Sequence, residues 1–162
     1  MSGFNKNAKK DKFLKQFPEI SIGNCDIESR FKINFSFFDD SQEYGSDFAG
    51  LEPGVLSDIL EKIRGYTRHD LNYWRHRRCG SHGLKILADY GAFPTNSKFI
   101  HPKAVPHDVN WCRFRMENLS RLIGFTVPAK LESKKDCHPY DVNTFYLVFI
   151  DLHHKFYISE EK

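Results

Sequence analysis

Three apolar runs near the C-terminus set the expected architecture: Trp111–Met116, Arg121–Val127 and Thr144–Asp151. In the first, Trp111, Arg113 and Arg115 alternate with Cys112, Phe114 and Met116. In the second, Arg121, Ile123 and Phe125 alternate with Leu122, Gly124 and Thr126, and Pro128 closes the run. A period of two places alternate side chains on opposite faces of a strand. Phe145–Ile150 is apolar at every position, the pattern of a central strand covered on both faces. The runs predict successive strands of one antiparallel sheet, with Asn118 marking the first turn. Phe31–Phe38 alternates as well: Phe31, Ile33, Phe35 and Phe37 share one side, and Lys32, Asn34 and Ser36 the other. It predicts a further strand.

Between these strands the period lengthens. Pro53 stands where a helix tolerates proline, and Leu56, Ile59, Leu60 and Ile63 recur at helical spacing up to Gly65. Thr67 and Asp70 have the spacing of a capping box for a second helix, with Leu71 and Trp74 inward. Arg75, His76, Arg77 and Arg78 lie near its C-terminus, where the helix dipole favours positive charge. Cys79–Gly83 is a break, and Leu84–Tyr90 reads as either a short helix or a strand. Residues 91–110, with three prolines, read as an irregular connection packed by Phe93, Phe99 and Ile100. Residues 129–143 form a long polar excursion. The expected fold is therefore α+β. It has a flexible basic arm over residues 1–18 and one domain over 19–162, in which two or three helices pack against an antiparallel sheet.

Composition narrows the function classes. Apolar residues make up 40% of the 162, too many for a disordered chain. The formal charge is +3, which permits an anionic partner without requiring one. No apolar run approaches the roughly 20 residues that span a bilayer, and residues 1–15 are polar and lysine-rich. A cytoplasmic protein without membrane contact is expected. In that compartment Cys25, Cys79, Cys112 and Cys137 read as free thiols.

The chemistry concentrates on the C-terminal strands. Arg113, Arg115 and Arg121 could project from neighbouring strands toward His153, His154, Lys155 and Tyr157 and share one concavity. Such a set suits metal-independent RNA cleavage. A His or Tyr takes the proton from a 2′-hydroxyl, and an Arg holds the developing phosphate charge. The bland alternative is a solvated face on which these Arg residues pair with carboxylates. His76, Cys79 and His82 have a zinc-like spacing, but only the adjacent Cys137 and His138 could complete the set, so no metal is expected. No cofactor is expected either. Asp39-Asp40-Ser41 reads as turn chemistry rather than paired catalytic acids.

Strand, two helices and then three antiparallel strands resembles the layout of the RelE/HigB-like toxins, small ribosome-dependent mRNA-cleaving proteins. The segment Arg121-Leu-Ile-Gly-Phe125 followed by residues 143–157 is similar to their closing strands. The same segment, with Phe31–Phe37, also resembles a group of uncharacterised prophage proteins ending in R-x-x-G-F, F-Y-x-V-x-x-D and H-K-x-Y. The match covers about residues 31–38 and 111–157. Carried over by position, the resemblance implies that Arg113, Arg115 and Arg121 hold RNA phosphate, and that His153, His154 and Tyr157 transfer protons or stack on bases. Lys155, Arg75, Arg77 and Arg78 extend the expected substrate contact. RNA or the ribosome is then the expected partner, with a protein antitoxin beside it. The alternative is a non-enzymatic phage or prophage accessory protein that binds another protein through its many aromatic residues.

Overall fold

The computed structural model describes residues 8–16, 21–116, 119–131 and 140–158. It is α+β: a five-stranded mixed sheet in the order β1-β5-β4-β3-β2, with three α-helices. The strands are β1 (Lys32–Asn34), β2 (Leu87–Gly91), β3 (Asn110–Arg115), β4 (Arg121–Thr126) and β5 (Thr144–Asp151). The helices are α1 (Ala8–Leu14), α2 (Pro53–Tyr66) and α3 (Leu71–His76).

One expectation about the sheet is corrected, and one open alternative is decided. The sheet is not purely antiparallel, because β1 runs parallel to β5. The ambiguous stretch before Gly91 is a strand, and it forms the edge beside β3. β1 is also shorter than its alternation suggests. The chain turns after Asn34, where the Phe38 amide donates to the Phe35 carbonyl. Phe31 and Ile33 therefore pack on one side of the sheet and Phe37 on the other, while Phe35 is 46% exposed. Within the expected flexible arm, residues 8–14 form a helix. The Asn118 turn lies outside the described residues.

The first face of the sheet carries α2 and α3. Ile59, Tyr66 and Leu71 are buried against Leu87, Phe114, Leu122, Leu147 and Ile150. The Phe114 ring stacks on both Phe31 and Tyr66, at centroid distances of 5.3 and 4.8 Å. Leu60, counted on the inner stripe of α2, is exposed. Thr67 ends α2, and Asp70 alone caps α3, accepting from the Tyr73 amide.

Among the described residues, no α-helix packs over the second face. Trp111, Ile123, Phe125 and Phe149 are covered by irregular chain, through Phe37, Phe93, Phe99 and, beyond β5, Phe156. Ile100, expected to pack there, is 77% exposed. Hydrophobic burial of roughly 25 cal/mol per Å² explains why loops rich in Phe suffice where a helix is absent.

Candidate functional site

The alternation in β3 and β4 places Arg113, Arg115 and Arg121 on this second face. Arg115 stands directly across from Arg121, and Arg121 across from Asp151. The last pairing depends on an irregularity. Phe125 pairs with Tyr146, yet Ile123 pairs with Phe149, so β5 contains one extra residue. A one-residue insertion reverses which side chains face which side. Without it, Asp151 would point toward the helices. Gly124 allows the close approach at that point: a Cβ there would lie 2.1 Å from the Tyr146 carbonyl oxygen and 2.7 Å from the Phe145 ring.

Asp151 is buried and fully engaged. Its Oδ1 accepts from the His153 and Lys155 amides at 3.1 and 3.0 Å, and its Oδ2 from the Phe156 amide at 2.8 Å. The carboxylate thus fastens the turn that follows β5 to the end of the sheet. It is not within ion-pair distance of Arg113 or Arg115, and neither of these makes a salt bridge among the described residues. Arg113 reaches the Lys85 carbonyl at 3.5 Å, and the Arg115 Nε is buried with no hydrogen bond. Arg121 is only 3% exposed, and its Nη1 donates to the Ser120 carbonyl. Burial, then the neighbouring Arg115 and Arg113 charges, lower its pKa to about 10, so it stays charged at neutral pH.

Sequence reasoning missed Tyr90. It sits at the β2 irregularity between Asp89 and Gly91, within the field of Arg113 and Arg121. Burial raises its pKa, and the Arg113 and Arg121 charges offset this only in part. The phenol therefore keeps its proton at neutral pH. Its ring stacks on Tyr157, with centroids 5.2 Å apart and planes 12° from parallel, and Tyr157 is 41% exposed. No local pattern marks Tyr90, because the stretch that holds it fits neither period cleanly.

The guanidinium groups and Tyr157 are thus brought to one end of the sheet, but the inner guanidinium groups are buried. Arg113 and Arg121 are covered, and neither lines the cavity of about 390 Å³ or that of about 420 Å³. Arg121 as a group in contact with substrate is corrected accordingly: it sits beneath the surface. His153 is exposed, and His154 adopts a left-handed backbone with φ 57°. Among the described residues, neither imidazole makes a hydrogen bond or a ring contact to Arg113 or Arg115. Lys155 is exposed on the same turn.

The helix-end cluster divides. Arg75 is an architectural residue, since its Nε contacts both Asp89 carboxylate oxygens at 3.2 and 3.0 Å and its Nη2 donates to Thr126. Thr126 lies at the far end of β4 from Arg121, so Arg75 is corrected out of the site. Arg77 lies 4.5 Å over the Tyr73 ring, and Arg78 donates to the Gly83 carbonyl. Both are exposed on a hairpin over residues 77–86. That hairpin abuts the buried Arg residues, because the Arg115 amide donates to Ile86 and Arg113 reaches Lys85.

The His76 ring contacts the Asn72 carbonyl at 2.8 Å. Among the described residues no group of three His, Cys, Asp or Glu converges as a metal site, and Cys137 and His138 lie outside them. Cys25, Cys79 and Cys112 are free thiols, and burial drives the Cys112 pKa up. Asp39 accepts from the Ser41 amide and hydroxyl and from Gln42. These bonds outweigh its burial and lower its pKa, as a turn-forming carboxylate requires. Among the described residues, no helix is long and apolar enough to cross a membrane. No family model, curated protein or solved structure matches the chain.

Proposed function

We propose that the protein binds single-stranded RNA at the basic end of its sheet, as a cytoplasmic, toxin-like protein of mobile-element origin. The observation that carries this reading is the charge imbalance there. Among the described residues Arg113 and Arg115 make no salt bridge, and the oxygens of the nearby Asp151 carboxylate are already taken by backbone amides. Buried charges are screened less than exposed ones, so Arg113 and Arg121 supply a positive potential from below the surface. Arg77, Arg78, Lys85 and the partly exposed Arg115 make the phosphate contacts. Tyr157, backed by Tyr90, offers an exposed ring on which a base stacks. The strand-helix-helix order, followed by the antiparallel β3-β4-β5 set, supports the RelE-like reading.

Binding of a labelled single-stranded RNA, measured by anisotropy across a salt series, tests the proposal. Arg77→Ser with Arg78→Ser should weaken binding and flatten the salt slope by roughly 0.7 per lost phosphate contact. Tyr157→Ala should weaken binding about tenfold, within the range for one stacked base, with the slope unchanged. Wild-type affinity in these variants would overturn the reading. Expression of the wild type beside His154→Ala, scored for growth arrest and mRNA cleavage, asks whether bound RNA is also cut. Capture of one protein partner from ribonuclease-treated lysate, with no RNA affinity, would favour the accessory-protein reading instead.

A further inference from the structure

The opposite end of the same face holds a cavity of about 390 Å³ that the RNA reading does not use. Its described lining includes Phe37, Phe125, Tyr146 and Tyr140, with aliphatic and proline side chains between them. Phe125 and Tyr146 stack at 4.8 Å with planes 8° apart. Phe37 stands nearly perpendicular to both, at 5.2 and 5.7 Å, so the rings form a corner. Asp108 is the one charged residue in the described lining. Its carboxylate makes no hydrogen bond or ion pair among the described residues, and neither do the Tyr140 and Tyr146 hydroxyls.

From this geometry we infer that the cavity is a binding site for a small organic cation, an alkylated ammonium group carried on an apolar body. Aromatic faces attract a desolvated ammonium through their quadrupoles, and the energy is largest for cations too weakly hydrated to prefer water. Asp108 supplies the counter-charge, and no cationic side chain stands in the described lining. An anion would meet apolar walls and a like charge. A neutral apolar ligand would leave the carboxylate without a role. The volume lies in the range of sites that enclose a whole small molecule rather than a single methyl group.

The test uses choline and its uncharged carbon isostere, dimethylbutanol, which match in shape and differ in charge. Binding is followed on the full chain by chemical-shift changes of the tyrosine and phenylalanine rings. Choline should shift the Phe37 and Tyr146 resonances saturably and bind about tenfold more tightly than dimethylbutanol. Asp108→Asn should remove most of that difference and leave dimethylbutanol unchanged; Asp108 is exposed, so the variant should stay folded. Tyr140→Leu, also at an exposed position, should weaken choline severalfold. Equal binding of the two probes, unchanged choline affinity in Asp108→Asn, or no saturable shift from either compound would overturn the assignment. RNA binding has its own readout, so failure at one end of the sheet is separable from failure at the other.

Discussion

At one end of the second face, Arg115, Arg121 and Asp151 stand side by side across β3, β4 and β5; at the other, Trp111, Phe125 and Tyr146 occupy the corresponding row. The same strands and the same alternation thus carry guanidinium groups at one end and rings at the other. The rings contribute to stability by burial. The guanidinium groups do the opposite, because taking a cation out of water costs more than imperfect pairing returns. Burial therefore accounts for the aromatic end, while the basic end carries a desolvation cost that the proposed RNA contact would offset.

The strongest way to break the contrast is to remove the one carboxylate. Asp151→Ala deprives three backbone amides of their acceptor and removes the carboxylate that stands across from Arg121. A loss of about 3 to 5 kcal/mol is expected, seen as a fall in Tm of roughly 10 °C. Phe37→Ala at the aromatic end should cost less, since that ring is only half-buried. Next comes Gly124→Ala, at the step where the two rows are offset. The added methyl would collide with the Tyr146 carbonyl, and a cost of about 2 to 3 kcal/mol is expected from denaturant midpoints. Strand pairing on both sides of residue 124 should loosen together, as amide exchange in β4 and β5 would report.

Arg115→Met sharpens the comparison from the other side. If the charge serves a partner, the variant should match the wild type in stability within about 1 kcal/mol, or exceed it, while losing RNA affinity. A large loss of stability would make Arg115 a structural residue.

The smallest effect concerns Asp141, which ties β1 to β5. Burial raises its pKa, but the hydrogen bonds from Lys32, the Asn143 amide and Thr144 more than compensate, and the net shift is downward. A depressed carboxylate stabilises the fold above its ordinary pKa of 3.8 and loses that contribution as pH falls through the lower folded value. Asp141→Asn should cost about 0.5 to 1 kcal/mol at pH 7, because the Lys32 pair is largely exposed. Thermal melts of the two proteins should converge once the pH drops well below 3.8.

Much of this was legible from the sequence where one period dominates. β3, β4 and β5 follow from alternation and continuous apolar runs, and the shared side of Arg113, Arg115 and Arg121 follows from counting by two. What alternation lacks is the identity of the partner across space. Arg75 resembles Arg77 and Arg78 in the chain, yet Asp89 reaches only the first. The parallel pairing of β1 with β5 joins residues more than a hundred positions apart and leaves no local trace. Tyr90 and the extra residue in β5 sit at irregularities, where a regular template is blind. The ring-lined cavity draws on several separate segments, none of which carries its signature alone.

The position of β5 between β1 and β4 has a bearing on how the protein is made. The ribosome delivers this central strand after every other strand, so until Thr144–Asp151 emerges, the edges of β1 and β4 that it will join stay unzipped. A nascent chain stalled or truncated before that point would expose the phenylalanine-rich interior, making it a natural client for chaperones and proteases.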